Sequence, residues 1–283
     1  MSRDRLQSQR FELKYIITEN LALAIRDFVA SYLELDEFAA TRPDLSYPVH
    51  SLYLDSDAFI LYQHTINGNK NRFKLRLRFY ENRPAAPVYC EIKSRFDNTI
   101  SKQRGAIHRD AVDTVLAGQL PEESQMASPD PYHLYALQNF VQHVNELRAR
   151  PRVHVAYLRE AWMPSGGGNS VRVTMDRKVR SCPEPTARLV AEMDDPVYVF
   201  GDMVVLELKF TGRFPDWFAD LARVFGLRPT SAAKYVDGVE LLEEKHILNQ
   251  QYRPSGSGFV RERARKIRPS GLAYGEYQSP TST

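Results

Sequence analysis

Several segments of this 283-residue chain place Arg, Lys or Glu at every second position. The densest is NRFKLRLRFY, where Arg72, Lys74, Arg76 and Arg78 alternate with Phe73, Leu75, Leu77 and Phe79. In an extended chain with a rise of ~3.4 Å per residue, such cations sit ~7 Å apart on one face. Four in a row repel one another unless an anion neutralises them. A phosphate chain meets that demand better than a lone carboxylate, because Arg recognises phosphate with a fork of donors. Interleaved acids add a second possibility. Glu12, Glu91, Asp176 and Glu207 are oxygen donors of the kind Mg2+ or Mn2+ uses when it also holds phosphate. They serve equally well as charge compensation for the Arg and Lys beside them. Glu207 is the strongest metal candidate, because the surrounding LELKF is otherwise apolar. Other chemistries lack a signal: there is no Gly-rich phosphate loop, no metal spacing among the seven histidines, and no Ser or Cys nucleophile beside a His base.

The elements that would carry these residues follow from periodicity. Residues 9–17 read as a strand with Arg10, Glu12 and Lys14 on one side, and 19–34 as an amphipathic helix capped by Thr18. A strand at 50–54, a short helix at 57–66 and the cationic strand at 71–80 follow. Residues 88–95 put Glu91, Lys93 and Arg95 on one face; residues 99–107 do the same with Ile100, Lys102 and Arg104. Two helical stretches are expected within 108–148, separated by the Pro-rich SPDPYH. Strands at 152–162, carrying Tyr157 and Arg159, and at 170–179, carrying Arg172, Thr174 and Asp176, form a hairpin joined by Gly166, Gly167 and Gly168. Residues 188–200 read as a further strand broken near 194–196. The strand at 204–211 carries Glu207, Lys209 and Thr211, and helices are expected at 215–226 and 231–247.

A charged face on one strand is usually the solvated side of a half-buried sheet. Recurrence in at least six segments, each with an apolar opposite face, instead suits a closed barrel whose charges line the inside and whose apolar faces pack outward on helices. Bulk charge does not dictate this. The chain carries +3, and residues 250–283 hold six basic against two acidic residues, which leaves 1–249 at −1. Any anion site must therefore come from placement. Hydrophobic residues make up 43%, enough for a sizeable core. No run of 18 apolar residues predicts a membrane span, and the opening MSRDRLQSQR lacks the apolar stretch of a secretory signal. Two cysteines are too few for a disulfide scaffold, and a cytoplasmic setting is expected. The basic tail reads as disordered, with no specific nucleic-acid partner expected.

RFELKY, SLYLDS, RFKLRLRFY, CEIKSR, SKQRGAI, VAYLREAW, VRVTMDR, VLELKF and SAAKYVDG occur in an order that resembles the VTC (vacuolar transporter chaperone) domain. That domain is the polyphosphate polymerase branch of the triphosphate tunnel metalloenzymes, also called CYTH-like proteins. The resemblance spans about residues 9–243 and implies an α+β fold, a closed antiparallel tunnel of about eight strands with helices outside. It assigns residues 1–249 to the tunnel domain and 250–283 to a tail. By matched motif it implies phosphate contacts at Lys14, Arg76, Arg78, Arg159 and Lys209, with Arg10, Lys93, Lys102, Arg104, Tyr157, Arg172 and Lys234 binding substrate. It implies Mn2+ or Mg2+ at Glu207, assisted by Glu12, with Glu91 and Asp176 as further tunnel residues. ATP and polyphosphate or triphosphate are the implied partners, with room for a membrane partner. One position departs from the pattern. A Lys often precedes the residue matching Lys234 by three positions, and here Ser231 stands there. The expected activity is transfer of the ATP γ-phosphate to a polyphosphate chain; hydrolysis in the same tunnel, or binding without turnover, are the alternatives.

Overall fold

The computed structural model describes residues 10–97, 99–166 and 170–251. Its centre is one antiparallel sheet. In chain order the strands are β1 (Arg10–Ile17), β2 (Glu34–Leu35), β3 (Tyr47–Asp55), β4 (Asn71–Phe79), β5 (Val88–Phe96), β6 (Thr99–Ile107), β7 (Arg150–Met163), β8 (Val171–Pro183), β9 (Val197–Tyr198) and β10 (Val204–Thr211). Eight of them run side by side as β1-β10-β8-β7-β3-β4-β5-β6, with β2 on β7 and β9 on β8. The helices are α1 (Glu19–Val29), α2 (Glu37–Ala40), α3 (Ile60–Ile66), α4 (Val112–Leu116), α5 (Pro131–Leu147), α6 (Asp216–Val224) and α7 (Lys234–Gln251).

The α+β class and the antiparallel sheet agree with the sequence reading, but the barrel is not closed by hydrogen bonds. The end strands β1 and β6 are not paired with each other. Backbone groups on their free edges bond to other segments. On β6, Tyr132 Oη donates to the Lys102 carbonyl at 3.1 Å and Ala106 N donates to His133 Nδ1 at 3.2 Å. On β1, Thr230 N donates to the Lys14 carbonyl at 2.9 Å. Backbone groups already matched in this way have no call for a neighbouring strand. The sheet nevertheless curls, for Lys93 of β5 reaches Glu12 of β1 at 3.0 Å.

Alternation sorts the strands into two faces. Outside, Leu75, Leu77, Phe79, Cys90 and Ile92 pack with Leu137 and Phe140 of α5. This helix rides directly on β6 at Gly105, where any Cβ would fall 2.4 Å from the Leu137 side chain. Tyr15, Val173, Met175, Leu206 and Leu208 pack with Ile25 of α1 and Phe218 of α6. Thr18 caps α1, as expected, accepting from Leu21 N at 3.3 Å.

Helix α7 departs from the expectation of helices outside. Its Tyr235, Val236 and Val239 pack against Val49, Val153, Val155, Val179 and Val205, which share the concave face with the charged rows. The expected strand at 188–200 also shrinks to Val197–Tyr198. Left-handed backbone at Leu189 and Asp195 and the proline at 196 interrupt it, and such residues do not sit in a regular ladder. Cys90 and Cys182 are free and buried. Gly167, Gly168 and the basic tail lie outside the described residues, while α7 continues to Gln251, past residue 249. No helix among the described residues is long and apolar enough to cross a membrane.

Candidate functional site

The concave face encloses a cavity of about 420 Å³. Its lining carries ten Lys and Arg side chains against two carboxylates, Glu12 and Glu207. Strand β4 supplies four of the cations from one alternating run. Strands β1, β5, β7 and β10 each add their own, and the first turn of α7 brings Lys234 in from the chain's far end.

Three groups of ion pairs fix seven of these cations. Around Glu207, Lys209 Nζ lies at 2.6 Å, Lys234 Nζ at 2.8 Å, Arg159 at 3.5 Å and Lys14 at 3.9 Å. Burial pushes the Glu207 carboxyl up, but these cations outweigh it and hold it well below the usual carboxylate range. Asp176, directly behind, takes both Arg159 forks at 2.7 Å and Lys234 at 2.7 Å. The second group is Glu12, bridged to Lys93 at 3.0 Å and Lys14 at 3.3 Å. Burial opposes its ionisation too, and Lys93 with Lys14 overcomes it, again leaving the carboxyl far below its ordinary value. The third group is Glu91, which holds Arg76 at 2.7 Å, Lys102 at 2.8 Å, Arg104 Nε at 2.7 Å and Arg78 at 3.7 Å.

Hydroxyls complete the positioning. Arg78 donates to Ser51 Oγ at 3.1 Å and to Tyr157 Oη at 3.2 Å, and Arg76 donates to Tyr53 Oη at 3.1 Å. Tyr157 also lies under two cations, Arg159 at 5.1 Å and Lys234 at 5.2 Å from its ring centroid. Such contacts aim the guanidinium groups while leaving N–H donors for a ligand.

Ten of the residues singled out from sequence meet here: Glu12, Lys14, Arg76, Arg78, Lys93, Tyr157, Arg159, Glu207, Lys209 and Lys234 all line the cavity, as does Ser231. Lys102 and Arg104 grip Glu91 from β6 without lining it. Two stand apart. Arg10 is exposed at the start of β1, and Arg172 turns to Asp36 at 2.8 Å and to Tyr47 Oη at 3.4 Å.

Lys74 belongs to the cationic row but has no phosphate contact assigned to it by motif, and Tyr53 carries no sequence signal; both line the cavity. Lys74 sits over the Tyr235 ring at 5.9 Å, and burial lowers its ammonium to about 8, with only partial relief from Tyr53. Lys209 is likewise lowered by burial to about 8, against the attraction of Glu207. The signal for Lys74 was present, since it shares the alternating row with Arg76 and Arg78. The signal for Tyr53 was not, since contact with Arg76 depends on how β3 registers with β4.

A divalent metal, as the motif resemblance implies, would have Glu207 and Glu12 as donors. Among the described residues no group of three His, Cys, Asp or Glu side chains gathers to hold one. Mg2+ and Mn2+ commonly take one or two carboxylates and complete their shell with phosphate oxygens and water. Two ionised carboxylates beside a cationic hollow therefore fit a metal that arrives with phosphate.

By fold and site the chain is an α+β protein whose curled antiparallel sheet holds a strongly cationic cavity. It belongs to the VTC domain family, whose model matches residues 9–243. No curated protein sequence matches it. Among solved structures it is similar to a candidate adenylate cyclase from Bacillus halodurans, at 11% identity over 80% of this chain and 94% of that one, with a TM-score of 0.43. A counterpart from Vibrio parahaemolyticus shows 11% identity over 81% and 97%, TM-score 0.39. A chain of the Schizosaccharomyces pombe Mediator head module shows 7% over 86% and 95%, TM-score 0.39. Likenesses of that size carry no argument about chemistry.

Proposed function

We infer that the cavity transfers phosphoryl groups along phosphate chains, moving the γ-phosphate of ATP to the end of a polyphosphate with release of ADP. The observation that carries this reading is the imbalance of ten cations against two carboxylates in one hollow. Glu91 and Asp176, behind the lining, pair with four of these cations, and ten cations against four carboxylates still leave a surplus that suits a ligand with several adjacent negative charges. Phosphoryl transfer asks mainly for positioning and charge stabilisation. Arg76, Arg78 and Arg159 would neutralise the non-bridging oxygens of the transferred group. Lys14, Lys93 and Lys209 would hold the neighbouring phosphates. The nucleophile is a terminal phosphate oxygen of the acceptor; it bonds to the γ-phosphorus as the bridging bond to the β-phosphate breaks. That oxygen is already anionic, so no protein base is needed. A metal held by Glu207 and Glu12 would supply a further positive charge across the phosphates.

Hydrolysis of a short chain is the second reading, and one observation favours it. Tyr235, Val236 and Val239 of α7 fill part of the concave face with apolar surface, which shortens the charged run available to a long polymer. Incubation with ATP and Mn2+ separates the two. Long chains together with ADP are the expected products, whereas orthophosphate alone overturns transfer in favour of hydrolysis.

A further inference from the structure

A second hollow, of about 320 Å³, lies on the outer wall of the sheet, against β3, β7 and β8. It shares only Tyr157 with the inner cavity. Two cations line it, Lys178 and Arg180, together with His50, Tyr198 and Pro48, and no Asp or Glu does.

A break in alternation puts the cations there. On β8, Arg172, Thr174 and Asp176 follow the inner face. Lys178 then adopts a left-handed backbone, φ 50°, and the register with β7 slips between Ala156 and Leu158. Beyond this bulge Val179 and Ser181 face inward under α7, with Ser181 against Gly238. Arg180, opposite Ala156 and Tyr198, is thereby turned outward. A lysine rarely occupies that backbone region, and local strain of this sort is held in place only by its surroundings.

Arg180 is the unusual group. Inside the sheet, Arg76 and Arg159 each have a carboxylate at 2.7 Å. The Arg180 side chain takes part in none of the hydrogen bonds or ion pairs among the described residues, and its Nε is shielded from water with no acceptor. A buried donor without an acceptor calls for one. The neighbouring His50 and His154 face each other at 3.1 Å, and burial lowers both to about 4, so neither adds a positive charge at neutral pH.

We propose that this outer hollow is a second oxyanion site, taking one phosphate-type group on Arg180 and Lys178. The group is either free orthophosphate or the terminal phosphate of a chain. The site is separate from the inner cavity and stands whatever reaction runs there.

Calorimetric titration of the full chain, with orthophosphate in one arm and tripolyphosphate in the other, tests it. Two classes of site are expected in at least one arm; the arm that shows the second class identifies the source. Arg180→Gln keeps the aliphatic stem with a polar, uncharged head and removes the guanidinium. Lys178→Gly removes the other cation at a position whose left-handed backbone suits glycine, and an unchanged first class of site reports that the variant is folded. Each substitution is expected to weaken the second class by about tenfold or more, the scale of a lost charge-assisted hydrogen bond, and to leave the first class unchanged. A single class in both arms, or a second class indifferent to both substitutions, overturns the proposal.

Discussion

The chain contains three Glu-apolar-Lys triplets, and two of them make an instructive pair. Glu91-Ile92-Lys93 lies on β5 and Glu207-Leu208-Lys209 on β10. Each glutamate sits among four cations. Their situations differ all the same. Glu207 pairs with its own Lys209 and opens on the cavity. Glu91 is fully buried, ignores its own Lys93, and binds arginines from β4 and β6. Lys93 crosses instead to Glu12. One carboxylate therefore serves as a buried anchor for the guanidinium groups and the other faces the place where a ligand would lie. The triplet does not decide which; the depth of each strand position does.

The contrast breaks most readily at the anchor. Glu91→Ala would leave buried cations unmatched and is expected to cost about 3–5 kcal/mol in chemical denaturation. Glu207→Ala should cost less, and tripolyphosphate should restore its melting temperature far more than that of Glu91→Ala, because phosphate reaches only the open cluster. Equal losses and equal rescue would remove the distinction. Next in size is the role of an anchored arginine. Arg76→Ala is expected to lower turnover of ATP into chains by about 10²–10³-fold, the scale of losing one preorganised donor at developing charge.

A smaller effect should appear with pH. Lys74 and Lys209 have their ammonium groups lowered to about 8 by burial. As pH rises through that value both lose charge, and tripolyphosphate affinity should fall. Stability without ligand moves the other way. The unfolded chain keeps these protons to about 10.4, so between that value and about 8 it binds more protons than the native state, and unfolding becomes harder as pH rises. Lys74→Met should flatten both profiles; an affinity that stays level from pH 7 to 9 would show that neither lysine meets phosphate. Smallest is Ser231→Lys, which adds a cation to the cavity lining. It should tighten polyphosphate binding by about fivefold at most, the range of a solvent-exposed charge pair, and lengthen the products on a gel.

Much of this arrangement could be read from local pattern. The strands at Thr99–Ile107 and Val204–Thr211 fall where alternation places them, because period-two spacing is a property of the extended chain itself. The same spacing put Arg76, Arg78, Lys93 and Glu207 on inner faces, and the order of nine short motifs marked the family. What failed depended on contacts distant in sequence. Arg172 has the right parity for the cavity, but Asp36 captures it from 136 positions away. Alternation beyond Asp176 reverses at a bulge, which moves Arg180 to the outer wall.

Up to the β8 bulge, sequence alone determined the faces of the strands and the sign of the charge they carry, since both follow from residue type and a fixed repeat. Tertiary structure decided three further matters. It left the sheet unclosed, and groups of α5 and the loop before α7 bond to its two edges instead. It brought α7 onto the concave face, which delivers Lys234 to Glu207. And it divided three Glu-apolar-Lys triplets into a buried anchor, a bridge and a cavity-lining carboxylate, because burial and partner choice depend on where a strand lies in the curled sheet.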